Sequence, residues 1–183
     1  MKKVIFFIVA VFVMCSCDKT MPQTTENGWE RIANTKYYVN VDKYDGNIWL
    51  GFWSDLNEDV IVKTANGEGF LELLKYLKPT FDKYRNISTE NNIKSYSECI
   101  MKAHTSEDFY FWDVTYSREN YEDFIYLENY ASLQKYGEIH GFSYNEFNEI
   151  IKALENSKGV ANLVKVEKEK RSQEKERIKA LYK

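Results

Sequence analysis

Residues 36–53 read KYYVNVDKYDGNIWLGFW, and this stretch carries the clearest structural signal in the chain. Apolar and polar side chains alternate over residues 36–44, as they do along a strand with one buried face. Asp45 and Gly46 follow, a dipeptide that is typical of hairpin turns because both positions tolerate positive φ. Residues 47–53 are apolar on both faces. The stretch therefore predicts a β-hairpin.

A helical pattern follows this hairpin and a further short strand at residues 60–62. Proline lacks an N–H group and clashes with the preceding helical turn, so we expect the helix to stop or kink at Pro79. Residues 90–103 show a weaker helical pattern. The main helix is predicted from four apolar residues at positions i, i+3, i+4 and i+7, namely Phe70, Leu73, Leu74 and Leu77.

Strands and one well-marked helix are predicted in the second half of the chain. Ser143 and Glu146 have the spacing of a capping box, which predicts that a helix begins there, and Gly159 is expected to cap its end. The chain is therefore predicted to be an α+β protein, in which an antiparallel sheet has helices packed on one face. Three stretches are strand-like, residues 109–116, 122–128 and 132–142.

Charge is divided unevenly along the chain. Residues 18–159 hold 15 Lys and Arg against 24 Asp and Glu, a net charge of −9, whereas residues 160–183 hold 8 against 4, a net charge of +4. With Lys2 and Lys3 these charges sum to the −3 of the whole chain. Because phosphate binding needs cationic groups, we expect no nucleic-acid partner. A basic protein is a better match for the acidic part.

The N-terminus has the layout of a secretory signal peptide. Met1 is followed by Lys2 and Lys3, and then by an unbroken apolar run at residues 4–14. A membrane-spanning helix needs about 20 apolar residues, so this run is too short for one.

The end of this apolar run resembles the lipobox of bacterial lipoproteins. It reads Met14-Cys15-Ser16-Cys17, in which the small residue Ser16 stands just before the second cysteine. The resemblance covers only residues 1 to 20. It implies lipidation of Cys17, with a fatty-acyl anchor such as palmitate. It also implies a place in the bacterial cell envelope, at the outer membrane or the periplasmic face. The alternative is an ordinary secretory signal peptide with incidental cysteines.

Four segments are expected from these patterns. Residues 1–16 form the signal peptide, residues 17–28 a lipidated polar tether, residues 29–159 a single α+β domain and residues 160–183 a charged C-terminal helix. Oppositely charged residues recur at i, i+4 in the last segment, and residues 167–177 contain no apolar side chain, so we expect that helix to be exposed.

No sequence motif of catalysis is present, so we predict no catalytic residue, no metal site and no cofactor. Residues 55–59 begin like an EF-hand calcium loop, but Val60 and Asn66 stand where that loop needs Gly and Glu. His104 and His140 are the only histidines, and neither has a second ligand at motif spacing.

Cys99 is the only cysteine beyond the predicted lipidation site, so it has no partner for an internal disulfide. A lone cysteine of this kind is most often a small buried side chain, and we expect Cys99 to be buried.

Aromatic residues are the remaining candidates for a ligand site. Trp49 and Trp53 share one face of the predicted strand 47–53, and Tyr38 and Tyr44 share one face of the strand before it. If no helix covers these rings, they form a platform for a sugar ring or a protein partner. The alternative is that both faces of a central strand are buried.

Two functional classes remain open. The first is a membrane-anchored binding protein, either an immunity-type inhibitor of a basic toxin or a surface protein that binds a ligand such as a glycan. The second is an envelope hydrolase with dispersed acidic catalytic residues, which requires two carboxylates in a cleft with divergent pKa values. A carboxylate in a concave site beside His140 or a tyrosine would favour the hydrolase.

Overall fold

The computed structural model describes Thr24 and residues 28–54, 60–104, 111–129 and 138–182. These residues form two four-stranded antiparallel sheets and two helices, which confirms the predicted α+β class. The strands divide between two sheets where the sequence pattern predicts one. The predicted signal peptide, Cys17 and most of the tether lie outside the described residues.

The first sheet contains the predicted hairpin. The last strand pair of this hairpin is Val41↔Ile48, so its loop spans residues 42–47 and is longer than a two-residue turn. The Asp42 side chain accepts hydrogen bonds from the backbone N–H groups of Tyr44 and Asp45, which turns the chain early. The four strands of this sheet, paired in chain order, are β1 (Glu30–Arg31), β2 (Tyr37–Val41), β3 (Ile48–Ser54) and β4 (Val60–Asn66).

The first helix, α1 (Gly67–Glu90), passes through Pro79 without ending there, so of the predicted stop or kink at this proline the stop is wrong. Leu77 and Phe81, on either side of the proline, are fully buried. Burying two large apolar side chains stabilises the helix by an amount comparable to the cost of an internal proline, which is about 3 kcal/mol. The predicted stripe from Phe70 to Leu77 lies in the core.

The second sheet contains the later strands. Residues 96–104 form a strand, so the helical pattern read over residues 90–103 is wrong for most of its length. That stretch pairs with the strand that follows it, and strand pairing outweighs a weak helical periodicity. Cys99 is exposed rather than buried, because its strand lies at the edge of the sheet. In pairing order the strands are β5 (Tyr96–His104), β6 (Phe111–Glu119), β7 (Glu122–Asn129) and β8 (Glu138–Ser143).

The second helix, α2 (Tyr144–Leu181), begins at the predicted capping box, in which Ser143 and Glu146 each bond to the backbone of the other. It continues through Gly159, so the predicted end at that glycine is wrong. Ala161 lies beyond the glycine and is fully buried, which keeps this part of α2 against the body. Every residue from Val166 to Tyr182 is exposed, as the charge pattern predicts. Neither described helix is long and apolar enough to cross a membrane.

A single core joins the helices to the inner faces of both sheets. Helix α1 contacts β3, β4 and β6, while α2 contacts β2, β3, β7 and β8. Helices therefore pack on one face of each sheet. The largest fully buried apolar side chains of this core include Tyr37, Ile48, Leu50, Leu74, Leu77, Phe81, Tyr116, Ile125, Phe142 and Phe147.

A buried polar cluster ties the end of α1 to the β6–β7 hairpin. Asp123 accepts hydrogen bonds from the Tyr116 hydroxyl and the Arg118 guanidinium, both at 2.7 Å. Arg118 also donates to the carbonyl oxygen of Ile93 at 2.7 Å. The Tyr116 hydroxyl also contacts the hydroxyl of Ser88, near the end of α1, at 2.9 Å. Ser88, Arg118 and Asp123 are each at most 9% exposed. The charges of this cluster are thus paired away from water, as burial requires.

Candidate functional site

The second sheet has one buried face and one face that is partly exposed to solvent. Val114, Tyr116, Ile125 and Leu127 point into the core and are fully buried. Side chains alternate between the faces of a strand, and directly paired residues share a face. The pairs Asp113↔Glu128, Thr115↔Tyr126, Ser117↔Phe124 and Glu119↔Glu122 therefore lie together on the outer face. We call these eight residues the acidic face.

Two stacked rings form the centre of the acidic face. Phe124 and Tyr126 have ring centroids 6.2 Å apart and an interplanar angle of 25°. The Tyr126 ring lies over Gly141 of β8, where an added Cβ would stand 2.6 Å from the ring. Both rings are half-buried, so each keeps part of its surface available for contact.

Carboxylates surround these rings, and one of these carboxylates, Glu119, is held in place by hydrogen bonds. Glu119 accepts hydrogen bonds from the Tyr126 hydroxyl at 3.1 Å and from Ser117 at 3.0 Å. Burial, and then the hydrogen bond to Glu119, raises the pKa of Tyr126. The phenol therefore stays a neutral donor at physiological pH.

The acidic face carries excess negative charge. Its four carboxylates are Asp113, Glu119, Glu122 and Glu128, and Lys102 on β5 lies 3.2 Å from Asp113. Four negative charges and one positive charge leave a net charge of −3 on this patch. Glu119 and Glu122 are exposed, whereas Asp113 and Glu128 are half-buried.

A strained tyrosine stands at the tip of the β6–β7 hairpin, directly beside Glu119 and Glu122. Asn120 and Tyr121 both have positive φ, at 50° and 70°. Asparagine adopts this conformation readily, but a bulky residue there is a genuine outlier. The Tyr121 side chain is nevertheless 50% exposed and gains little burial in return. Exposed strain of this kind motivates a functional hypothesis.

The four predicted aromatic site residues do not form one open platform. Tyr38 is fully buried, and its strand partner is Gly51, which has no side chain to compete for the space. Trp49 is half-buried on the outer face of the first sheet, and Tyr44 is 74% exposed on the hairpin loop. The side chain of Trp53 lies outside the described residues. Whether any of the four binds a ligand stays a prediction.

Carboxylates beside tyrosines, the arrangement expected of a hydrolase, occur at four places in the described chain. Glu119 beside Tyr126 and Glu98 beside Tyr96 are exposed carboxylates, and the other two are more enclosed. One is Asp123 in the buried polar cluster. The other is Asp82, which accepts hydrogen bonds from Tyr144 at 2.8 Å and Lys78 at 2.6 Å. Burial alone would raise the pKa of Asp82, but these bonds together lower it. A general acid needs a raised pKa, so Asp82 is better suited to an ion pair.

Concave space in the described structure is lined by charges of both signs. A cleft of about 360 Å³ lies between β1 and α2, and its polar walls include Glu30, Arg31, Glu149 and Lys152. No three His, Cys, Asp or Glu side chains among the described residues are grouped closely enough to hold a metal ion. The side chain of His140 lies outside the described residues.

The acidic face was missed by the sequence analysis, although its signal was present. Residues 113–119 and 122–128 alternate with a period of two, and the residues between the core positions are acidic, polar or aromatic. The alternation alone does not say which of the two faces remains open.

Comparison with protein-family models, curated proteins and solved structures found no match to this chain.

Proposed function

We propose that this protein is a lipid-anchored binding protein of the bacterial envelope, and that it binds a cationic protein through its acidic face. One observation carries the proposal. The stacked rings of Phe124 and Tyr126 lie half-buried on the partly exposed outer face of the second sheet, among charged side chains whose net charge is −3. Aromatic anchors supply contact area, and surrounding charge supplies selectivity and fast association.

The geometry of the face favours a basic protein over a neutral ligand. Glu119 is already oriented by Ser117 and Tyr126, so binding a cation there needs little reordering of that carboxylate. Tyr121 extends the aromatic surface beyond the end of the strands. An arginine or lysine side chain can pair with the carboxylates and lie over a ring at the same time.

The proposed location comes from the N-terminal sequence. A lipid on Cys17 would hold the body at the membrane, and the polar tether would raise it above the surface. An immunity-type inhibitor, which neutralises an incoming basic toxin at the envelope, fits this location and this charge.

Neutralising two carboxylates of the acidic face is expected to weaken cationic binding. The probe is a lysine-rich peptide with a central tryptophan, titrated into the unlipidated chain that starts at Asp18. We expect Glu122→Gln with Glu128→Gln to lower its affinity at least about tenfold at low salt, with most of the loss removed by added salt.

The matched control is Glu72→Gln with Glu90→Gln, which removes the same charge from exposed positions on α1. Equal affinities for the two double variants would contradict the proposal. Binding of a neutral oligosaccharide that survives the loss of the carboxylates but not Tyr126→Ala would favour a glycan ligand instead.

Replacing Tyr121 with glycine separates binding from stability. Glycine adopts positive φ without the Cβ clash that costs other residues about 1–2 kcal/mol, so the thermal stability of the variant is not expected to fall. Peptide affinity is expected to fall several-fold, because an exposed ring is lost. Unchanged affinity would mean that Tyr121 takes no part in binding.

A further inference from the structure

We infer that the basic end of α2 in one copy of this chain binds the acidic face of a second copy. We call residues 165–183 the basic arm. The inference rests on the proposed function, since it names a partner for the same face. It also adds a second interaction surface, because the basic arm is outside the face to which that proposal refers.

The basic arm leaves the body after its first two turns, where Lys168 and Arg171 still line a cavity with Lys43 and Tyr44 of the β2–β3 loop. Helix α2 is continuous from Tyr144 to Leu181, and Ala161 is its last buried residue. Lys165 is tied to Glu68 of α1 at 2.9 Å, and every residue from Val166 to Tyr182 is exposed. A straight helix from residue 166 to residue 181 extends about 23 Å. The side chains from Val166 to Tyr182 are therefore accessible to other molecules.

Four of the eight cationic side chains of the basic arm lie along one side of the helix. Lys168, Arg171, Lys175 and Lys179 follow each other at intervals of three or four residues, which aligns them on one face. Ile178 and Tyr182 continue the same side and are 44% and 87% exposed. The cationic row from Lys168 to Lys179 is about 16 Å long.

The acidic face matches this row in charge, length and apolar content. Glu122 and Glu128 are separated by six residues of one strand, a span of about 20 Å. The rings of Phe124 and Tyr126 lie between these carboxylates and offer apolar contact to Ile178 and Tyr182. Asp113 is already paired with Lys102, and Arg171 and Lys179 with Glu167 and Glu176, so the charges that pair across the contact are Glu119, Glu122 and Glu128 with Lys168 and Lys175.

The pairing of two different surfaces makes the contact heterologous. Each copy keeps one unused surface, so association continues into chains or closes into a ring. A cationic partner and the basic arm would compete for the same face. Self-association would then keep the acidic face covered until a stronger cationic ligand displaced the arm.

A charge-reversal exchange tests this contact in the unlipidated full-length mature chain. The face variant carries Glu122→Lys and Glu128→Lys, and the arm variant carries Lys168→Glu and Lys175→Glu. Sedimentation velocity should show concentration-dependent association of the wild-type chain that weakens with salt. Each variant alone should remain monomeric. An equimolar mixture should associate, because the intact arm of the face variant can bind the intact face of the arm variant and the two reversed surfaces are also complementary.

A chain that ends at Val166 serves as the control for the arm. It should remain folded, with a melting temperature close to that of the longer chain, and it should be monomeric. Glu72→Lys with Glu90→Lys should leave association unchanged, because these carboxylates lie outside the acidic face.

Three results would overturn the inference: a monomeric wild-type chain at all concentrations, association that persists in the face variant, or a mixture that stays monomeric. Persistence in the face variant would point to pairing between arms. If the wild type is monomeric but its acidic face still binds the lysine-rich peptide, the proposed function stands and the inference alone fails. If neither is observed, both fail.

Discussion

Replacing Asp123 with alanine is expected to lower the free energy of unfolding by about 3–5 kcal/mol, because the change leaves a buried cation without its partner. Arg118 is 5% exposed and donates to Asp123 at 2.7 Å. The same carboxylate accepts the Tyr116 hydroxyl, which also contacts Ser88 at 2.9 Å. Urea unfolding followed by aromatic fluorescence measures the loss.

Two controls separate the buried pair from general disruption. Lys102→Ala removes an exposed partner of Asp113 and should cost no more than about 1 kcal/mol. Replacing Arg118 and Asp123 together with apolar residues of similar size should cost less than Asp123→Ala alone, since no buried charge remains unpaired. A loss of less than about 1 kcal/mol for Asp123→Ala would show that water reaches this cluster.

Replacing Phe81 with alanine is expected to cost about 3–5 kcal/mol, because a fully buried ring is deleted and a cavity remains. The ring lies edge-on to three others, with centroids 5.2 Å from Tyr144, 5.2 Å from Phe147 and 6.1 Å from Tyr116. These contacts join α1 to α2 and to the second sheet, so the loss should lower cooperativity across the whole domain.

The same substitution tests whether α1 continues past Pro79. If the helix ended at the proline, Phe81 would leave the core and its replacement would cost little. Tyr76→Ala on the same helix is the matched control, since Tyr76 is 64% exposed and its loss should change stability by less than about 0.5 kcal/mol. Equal effects of the two substitutions would contradict the continuous helix.

Local features of this protein were predictable from the sequence because their causes lie within a few residues. The hairpin of β2 and β3 follows from alternation and from turn residues that all fall within 36–53. The start of α2 follows from the reciprocal bonds of Ser143 and Glu146, which are three residues apart. The exposed end of α2 follows from a run of charges that has no apolar stripe.

Breaks in helices were not predictable in the same way. Pro79 and Gly159 both have local conformational costs, and both are overridden by buried residues beyond them, Phe81 and Ala161. A proline or glycine in the sequence indicates only the free energy that it costs the helix locally. The compensating free energy comes from packing against elements distant in sequence.

Burial of individual side chains was also decided by tertiary contacts. Tyr38 alternates as an outward residue, yet it is fully buried beside Gly51. Cysteine is usually a buried residue type, yet Cys99 is exposed because β5 is an edge strand. Neither strand order nor neighbouring residues can be read from the alternation of one strand.

The candidate site, too, is determined partly by the sequence and partly by the tertiary structure. Its ingredients, alternating carboxylates and aromatic residues over 113–128, are a property of the sequence. Its availability is a property of the tertiary structure, because the helices pack on the inner face and leave the acidic face partly exposed. Periodicity arises from the geometry of one strand, whereas coverage depends on where the rest of the chain finds its lowest free energy.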